Sequence, residues 1–393
     1  MNVEPLGTRP DWHAARSYSY RAPQRLEPES VPLNEAVGRV LAADLVALCD
    51  VPHYASSAMD GWAVAGDEPW QLAPGHRLEP GHAAPIVTGG LIPAGARAVL
   101  RSEHGTVRGA DGAQVLGTSA GARPGEPADG DNVRPAGEEV AQSDVVFPGD
   151  TRLNPAHVAV AAVCGHDELT VLRAPRVALI LTGDEVVGSG IPEPGHVRDT
   201  FGPQFPALIR MLGGIVTAAD HLRDDLDVLL DTIAEDTIAD VLITTGGTGR
   251  STADHLHAAL RQLDARILID GIAMRPGGPS LLAQLPDGRY LVGLPGNPLA
   301  AMMGMLTLAQ PLLAGLAGAA EPTLGSVVTG RDLTGRPGLC RLLPYQLQGG
   351  TAAKSPWFGS GMLRGLATAS GVLVSPPEGA RSGESVATVP LPW

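Results

Sequence analysis

Three glycine-bearing turns carry residue types suited to holding an anion: TGDE at 182–185, TTGGTGRSTAD at 244–254 and GLPGNP at 293–298. Each follows an apolar run that reads as a strand. Glycine lets the backbone approach an anion closely and turn N–H groups towards it. A helix starting just beyond adds partial positive charge. The candidate contacts are Thr182 and Gly183, Gly246 and Gly247, and Gly293, Pro295, Gly296 and Asn297. Asn297 is placed as a helix N-cap, with Pro298 in the first turn. One such turn alone is a tight turn; three in one region point to an anion or nucleotide site. The pattern is neither GxxxxGK[ST] nor GxGxxG.

Carboxylates accompany these turns: Asp184 and Glu185, Asp224 and Asp225, and Asp254. Near a phosphate they would repel it unless a divalent cation stood between, and Mg²⁺ takes a few carboxylates together with substrate phosphate oxygens. The plainer alternative leaves Asp224 and Asp225 in solvent and makes Asp254 a cap for a helix near His255. Ser56, Ser57, Asp60 and Trp62 lie in an SSAMDGW loop that has neither helix nor strand periodicity. Thr88 in IVTGG and Glu103 in LRSEH carry weight only in combination with it. His53, His104 and His255 have no patterned Ser or Cys partner and there is no HExxH, so neither a nucleophile triad nor a zinc site is expected.

The elements that must position these residues change style along the chain. Leu33, Ala36, Val37, Val40 and Leu41 have the spacing of one helix face, which predicts a helix within 28–48, with Asn34 as N-cap. Residues 71–150 are short extended pieces between Gly- and Pro-containing turns, an all-β pattern. Residues 152–173 predict a helix capped by Asn154, with Pro155 at its first position, and then a strand. From 175 onward strands and helices alternate, which predicts a mostly parallel sheet covered on both faces with ligands at the strand C-terminal ends. Residues 325–393 return to a turn-rich β pattern. The fold class expected is therefore multidomain α/β plus β. Its domains are 1–50 with 150–174, an inserted β domain at 51–149, an α/β domain at 175–324 and a β domain at 325–393.

The chain has 393 residues and a net charge of −14, with 50 glycines and 35 prolines. The glycine and proline excess fits many tight turns, because a 44% hydrophobic share still supplies cores. The acidic balance argues against nucleic-acid binding yet allows a local basic pocket. Lys354 is the sole lysine, so 27 of the 28 basic residues are arginines. Cys49, Cys164 and Cys340 are scattered, which fits a reducing compartment. The N-terminus lacks the pattern of a signal peptide, and a cytoplasmic protein is expected. Leu299–Ala320 is long and apolar enough to test as a membrane span, but Gln310-Pro311 interrupts it and no Lys or Arg flanks it. A buried helix is expected instead, with no membrane partner.

Taken in order, PHYASSAMDGWAV, PIVTGGLIPAGARAVLRSE, DNVRPAGEEV, VALILTGDEVV, LITTGGTGRSTAD and GLPGNPLAAM resemble the molybdopterin molybdotransferase family, which includes the E domain of gephyrin. The likeness runs from about residue 28 to the C-terminus. It implies an elongated homodimer with a molybdopterin-binding-like α/β domain, an inserted β domain and a C-terminal β-barrel-like domain. It also implies a reaction: with Mg²⁺, molybdate and adenylylated molybdopterin react to give molybdenum cofactor and AMP, alongside other proteins of molybdenum-cofactor biosynthesis. By motif matching, Asp60, Thr88, Glu185, Asp224, Asp254 and Arg275 become catalytic candidates. Glu185, Asp224 and Asp254 would hold metal, and Ser360 in GSGML joins the binding residues.

Departures from the family pattern are specific. Glu139 stands for an aspartate, Arg97 replaces another, and Arg250 enters the second glycine turn, inside the proposed anion site. The inserted β domain is short. Where the family has KPGKP this chain reads RPGGP, so Arg275 keeps the first charge as a planar fork and Gly278 loses the second. Arg250 could compensate for that loss. A catalytically impaired paralogue that carries molybdopterin or its nucleotide is the alternative to an active enzyme.

Overall fold

A computed structural model describes residues 4–109, 114–246 and 255–393. The chain divides into two compact units: Met1–Glu29, Gly38–Val40 and Leu172–Trp393 form one, and Ser30–Val37 and Leu41–Val171 the other.

In the first unit a seven-stranded sheet runs in the order Gly7–Thr8, Arg266–Asp270, Leu281–Gln284, Tyr290–Leu294, Val241–Thr245, Arg176–Thr182, Ile215–Leu222. The last four are mutually parallel. Leu281–Gln284 is antiparallel to both its neighbours, so the sheet is mixed. Alternate residues of Arg176–Thr182 enter different cores. Val177, Leu179 and Leu181 pack with residues of Trp12–Arg21, Phe205–Met211 and the 298–316 helix. Ala178 and Ile180 pack with Leu229, Ile233, Leu256 and Leu260 of two further helices. Two covered faces explain why these strands are apolar throughout.

The helical run Pro298–Leu316 is long and apolar enough to cross a membrane, but 94% of its most apolar stretch is buried inside the protein, as a core helix requires. Its middle, Met305–Ala309, is a π turn in which the Gln310 N–H reaches Met305 O. The next donor in that pattern would be Pro311, which has no N–H. Arg16 instead donates to the Leu306 carbonyl. Arg16 also donates to Gln310 Oε1 at 3.2 Å, and Trp12 Nε1 donates to Thr307 Oγ1 at 2.9 Å. Burial pushes the Arg16 guanidinium down to about 10.

Those contacts come from the helix Trp12–Arg21, which the apolar spacing did not announce. Its start is signed by Asp11, whose side chain accepts from the Ala14 N–H at 3.0 Å. Conversely, the helix expected within 28–48 does not form. Pro28–Pro32 is extended, Leu33–Glu35 is one 3₁₀ turn and Gly38 has φ +85. Asn34 lies inside that turn and caps nothing. Pro32 withholds a donor and the glycine breaks the run, while Val31, Ala36, Leu41 and Leu45 are buried against Leu153, Ala161, Leu169 and Val171. Of the five residues with helical spacing, Ala36, Val40 and Leu41 are buried by tertiary packing, Leu33 is half-buried and Val37 is exposed.

The C-terminal segment forms a sheet ordered Met274–Arg275, Cys340–Gln348, Gly371–Ser375, Ser385–Val389, Gly325–Val328, with Thr351–Lys354 paired to Cys340–Gln348. Met274–Arg275 joins it in parallel, with Arg275 opposite Arg341.

In the second unit the strand order is Ala98–Arg101, Gly61–Ala65, His82–Ile86, Trp70–Leu72, Val115–Thr118, Gly105–Arg108. The helix Pro155–Val163 starts at Asn154 in a reciprocal capping box with His157. Arg97, one of the departures in sequence, donates to Asp129 at 2.8 Å and to Gly66 O at 3.0 Å.

Candidate active site

The three strand-end turns converge. Thr182 is in register with Leu222 and Leu181 with Thr245, while Thr245 also pairs with Leu294, so the turns leave neighbouring strands at one edge of the sheet. Gly246, at φ +85, lies against the other two turns. A Cβ there would meet Thr182 Oγ1 at 2.7 Å, and the position of a Cβ on Gly296 is 3.7 Å from Gly246 Cα. Only glycine permits that approach. The Gly246 N–H is already given to Leu294 O at 2.9 Å, so it is not spare for a phosphate. Gly293 is buried within its strand, where a Cβ would meet Leu256 at 2.6 Å and Leu281 at 2.8 Å. Its position is one of packing. Gly247, Arg250 and Asp254 lie outside the described residues.

Thr182, Asp224 and Gly246 border a small crevice with Arg223, Thr244 and His255. Asp224 is exposed, and its N–H donates to Asp184 Oδ1 at 3.4 Å, which ties the TGDE turn to the next one. Its neighbour Asp225 is structural. It caps Leu226–Glu235, accepting from the Asp227 and Val228 N–H groups at 2.9 and 3.1 Å. Glu185 is exposed too. A Cβ on Gly183 would lie 3.0 Å from Glu185 Oε2, so the carboxylate folds back over that glycine. Among the described residues no group of three His, Cys, Asp or Glu is arranged to hold a metal.

A larger cavity, about 490 Å³, gathers Arg275, Gly278, Pro295, Asn297 and Ser360. Asn297 occupies the N-cap position of Pro298–Gly304, yet its side chain makes no capping bond and is left to the cavity. The Ala300 N–H donates to Ser360 O at 3.0 Å, which holds the GSGML loop against the start of that helix. Further residues line the cavity without having been singled out in sequence: Arg9, Arg336 and the pair His257–Asp270, whose Nε2 and Oδ1 are 3.1 Å apart. An adjoining cavity of about 370 Å³ adds Arg341 beside Arg275, Arg336 and Ser360. Four arginines thus collect in an acidic chain, as an anion site needs. Three of them, Arg9, Arg275 and Arg336, each precede a proline, while Arg341 lies in an apolar run with no local sign.

Gly278 has a steric reason to be glycine. A Cβ there would sit 2.8 Å from Met274 O and 3.3 Å from Ile272 O, in a loop closed by the Ile272 N–H donating to Gly278 O at 2.7 Å.

In the second unit Asp60 and Thr88, separated by 28 residues, meet. The Thr88 N–H and hydroxyl donate to Asp60 Oδ1 at 2.7 and 2.9 Å. These bonds, the backbone one foremost, hold the Asp60 carboxyl below its ordinary value of 3.8. A depressed carboxylate adds stability above its unfolded value and loses it as pH falls through the folded one. Thr88→Val keeps the N–H bond and removes the hydroxyl. The Asp60 midpoint, followed by carbon NMR of its carboxyl, should then rise part of the way towards 3.8. An unmoved midpoint would show that the hydroxyl bond does not matter.

Residues 12–165 match the model of the MoeA N-terminal region (domain I and II), and residues 178–315 match that of a probable molybdopterin binding domain. A molybdopterin molybdenumtransferase of Staphylococcus aureus is 31% identical over 312 residues, covering 74% of this chain and 72% of the relative. This chain belongs to the molybdopterin molybdenumtransferase family. A Staphylococcus epidermidis member is 30% identical over 321 residues, covering 75% of this chain and 74% of its own. In structure, the MoeA molybdopterin biosynthesis protein of Pyrococcus horikoshii superposes with a TM-score of 0.77 at 25% identity, over 98% of this chain and 99% of that one. This molybdenumtransferase-family chain therefore has the MoeA-like multidomain fold with mixed sheets.

Proposed function

We propose that this molybdopterin molybdenumtransferase takes adenylylated molybdopterin and molybdate, inserts molybdenum into the dithiolene and releases AMP. The observation that carries the reading is the convergence of three glycine turns, the third of which also lines a cavity with arginine-rich walls, in a chain 31% identical to a named molybdenumtransferase. Arg275 presents a planar fork to an oxyanion, and Ser360 and Asn297 offer neutral donors beside it. Thr182 and Gly246 shape the floor for the nucleotide end of the substrate. Asp60, kept ionised by Thr88, is a further catalytic carboxylate.

The donor set fits Mg²⁺. Glu185 and Asp224 are exposed carboxylates on turns that leave paired strands, and such an ion keeps several sites for water and phosphate oxygens. Glu185 and Asp224, with Asp254 as a third candidate, would hold it; when bound it would neutralise the phosphoanhydride as the bond to AMP breaks. We assign the protein to the cytoplasm and to a homodimer working with other proteins of molybdenum-cofactor biosynthesis.

Incubation with adenylylated molybdopterin, Mg²⁺ and molybdate should release AMP in a molybdate-dependent way. Tight nucleotide binding with no AMP released would replace this reading with that of a carrier.

A further inference from the structure

We infer that Arg9 supplies the cationic contact that Gly278 cannot, and that it binds the tetrahedral oxyanion in the larger cavity. The inference rests on the molybdenumtransferase reading and adds to it a residue from a segment that the glycine-turn motifs do not include.

The N-terminal segment is laced to the edge of the α/β sheet. The Leu6 N–H donates to Leu268 O at 2.9 Å, Gly7–Thr8 pairs in parallel with Ile269 and Asp270, and the Arg9 N–H donates to Asp270 O at 3.1 Å. One residue on, Pro10 O accepts from the Ala273 N–H at 2.9 Å. Bonds on both sides therefore fix the Arg9 backbone, which holds φ +52, a conformation that arginine rarely adopts. The side chain leaves that point into the cavity wall. A Cβ placed on Gly271 would lie 3.1 Å from Gly278 O and 3.5 Å from Arg9 Cγ, so the Arg9 stem and residue 278 both flank Gly271, and both line the same cavity.

Charge is thus returned to the neighbourhood where the loop geometry forbids a side chain. Arg9, Arg275 and Arg336 face a cavity whose lining, among the described residues, includes a single carboxylate, Asp270, set against His257. Guanidinium forks from different segments can each give two N–H groups to one tetrahedral dianion. Molybdate and the phosphate end of the pterin nucleotide share that chemistry.

The test uses Arg9→Gly, which keeps the left-handed backbone without strain, and Arg9→Lys. Equilibrium dialysis with molybdate alone, together with KM for molybdate and for the nucleotide in AMP release, separates the two oxyanions. With Arg9→Gly, molybdate Kd and KM should both rise by about ten- to a hundredfold, with no fall in Tm, and Arg9→Lys should recover part of the loss. A rise in the nucleotide KM alone would keep Arg9 as an oxyanion ligand but assign it to the phosphate. Constants for both substrates equal to those of the wild type would overturn the inference. Arg9-dependent molybdate binding in a wild type that releases no AMP would uphold the contact and overturn the enzymatic reading instead.

Discussion

Glu185→Gln is expected to lower molybdate-dependent AMP release by about 10²–10³-fold, the range for removing one preorganised electrostatic contact from a transition state. The substitution keeps shape and removes charge. The Glu185 backbone carbonyl accepts from the Val197 N–H at 2.9 Å, a bond that the change leaves alone. Its carboxylate folds back over Gly183, at φ +135, with Oε2 3.0 Å from where a Cβ would stand. The neighbouring turn brings Asp224 from a strand in register. If the two carboxylates share Mg²⁺, the variant should also need more Mg²⁺ for half-maximal rate, with Tm unchanged. Wild-type turnover at an unchanged Mg²⁺ requirement would remove Glu185 from the machinery.

Gly278→Lys restores the residue type of the family motif, and it is expected to harm the protein. The new Cβ would approach Met274 O to 2.8 Å and Ile272 O to 3.3 Å, both backbone atoms that cannot swing aside as a flexible side chain could. Relief requires the loop to move, and that loop carries Arg275 and the Ile272 to Gly278 hydrogen bond of 2.7 Å. Overpacking of this kind costs about 1–3 kcal/mol. In a unit of this size that is a Tm drop of roughly 2–4 °C for each kcal/mol, read by calorimetry. AMP release should fall as well, because Arg275 is displaced from Ser360 and Asn297. A variant with unchanged Tm and faster release would show that the loop relaxes freely and that Gly278 is a simple loss of charge.

Much of the α/β architecture was legible locally. The continuous apolar run of Arg176–Thr182 and the Gly-ended helix Phe205–Met211 follow from composition and punctuation, as does the Asn154-capped helix at 155–163. The helix misplaced in 28–48 and the unannounced one at 12–21 fail for the same reason. Apolar spacing does not fix backbone geometry: in 28–48 non-local packing buries Ala36, Val40 and Leu41 without a helix and leaves Val37 exposed, while a single cap residue can start a helix with little apolar signal.

Within the candidate site, residue types and spacing by themselves determined the three glycine turns, the carboxylates beside them and the family likeness, because those depend on contiguous residues. Only the tertiary structure decided which of them meet. It spends the Gly246 N–H on Leu294, makes Gly293 a packing position and gives Asp225 to a helix cap. It also draws Arg9, Arg336 and Arg341 into cavities with Arg275 and Ser360 from places far apart in the chain. Chain separation carries no information about such contacts until strands pair. The pairing of Gly7–Thr8 with the sheet edge brings one arginine of a lysine-poor chain into the cavity lined by the glycine that stands where the family pattern has lysine.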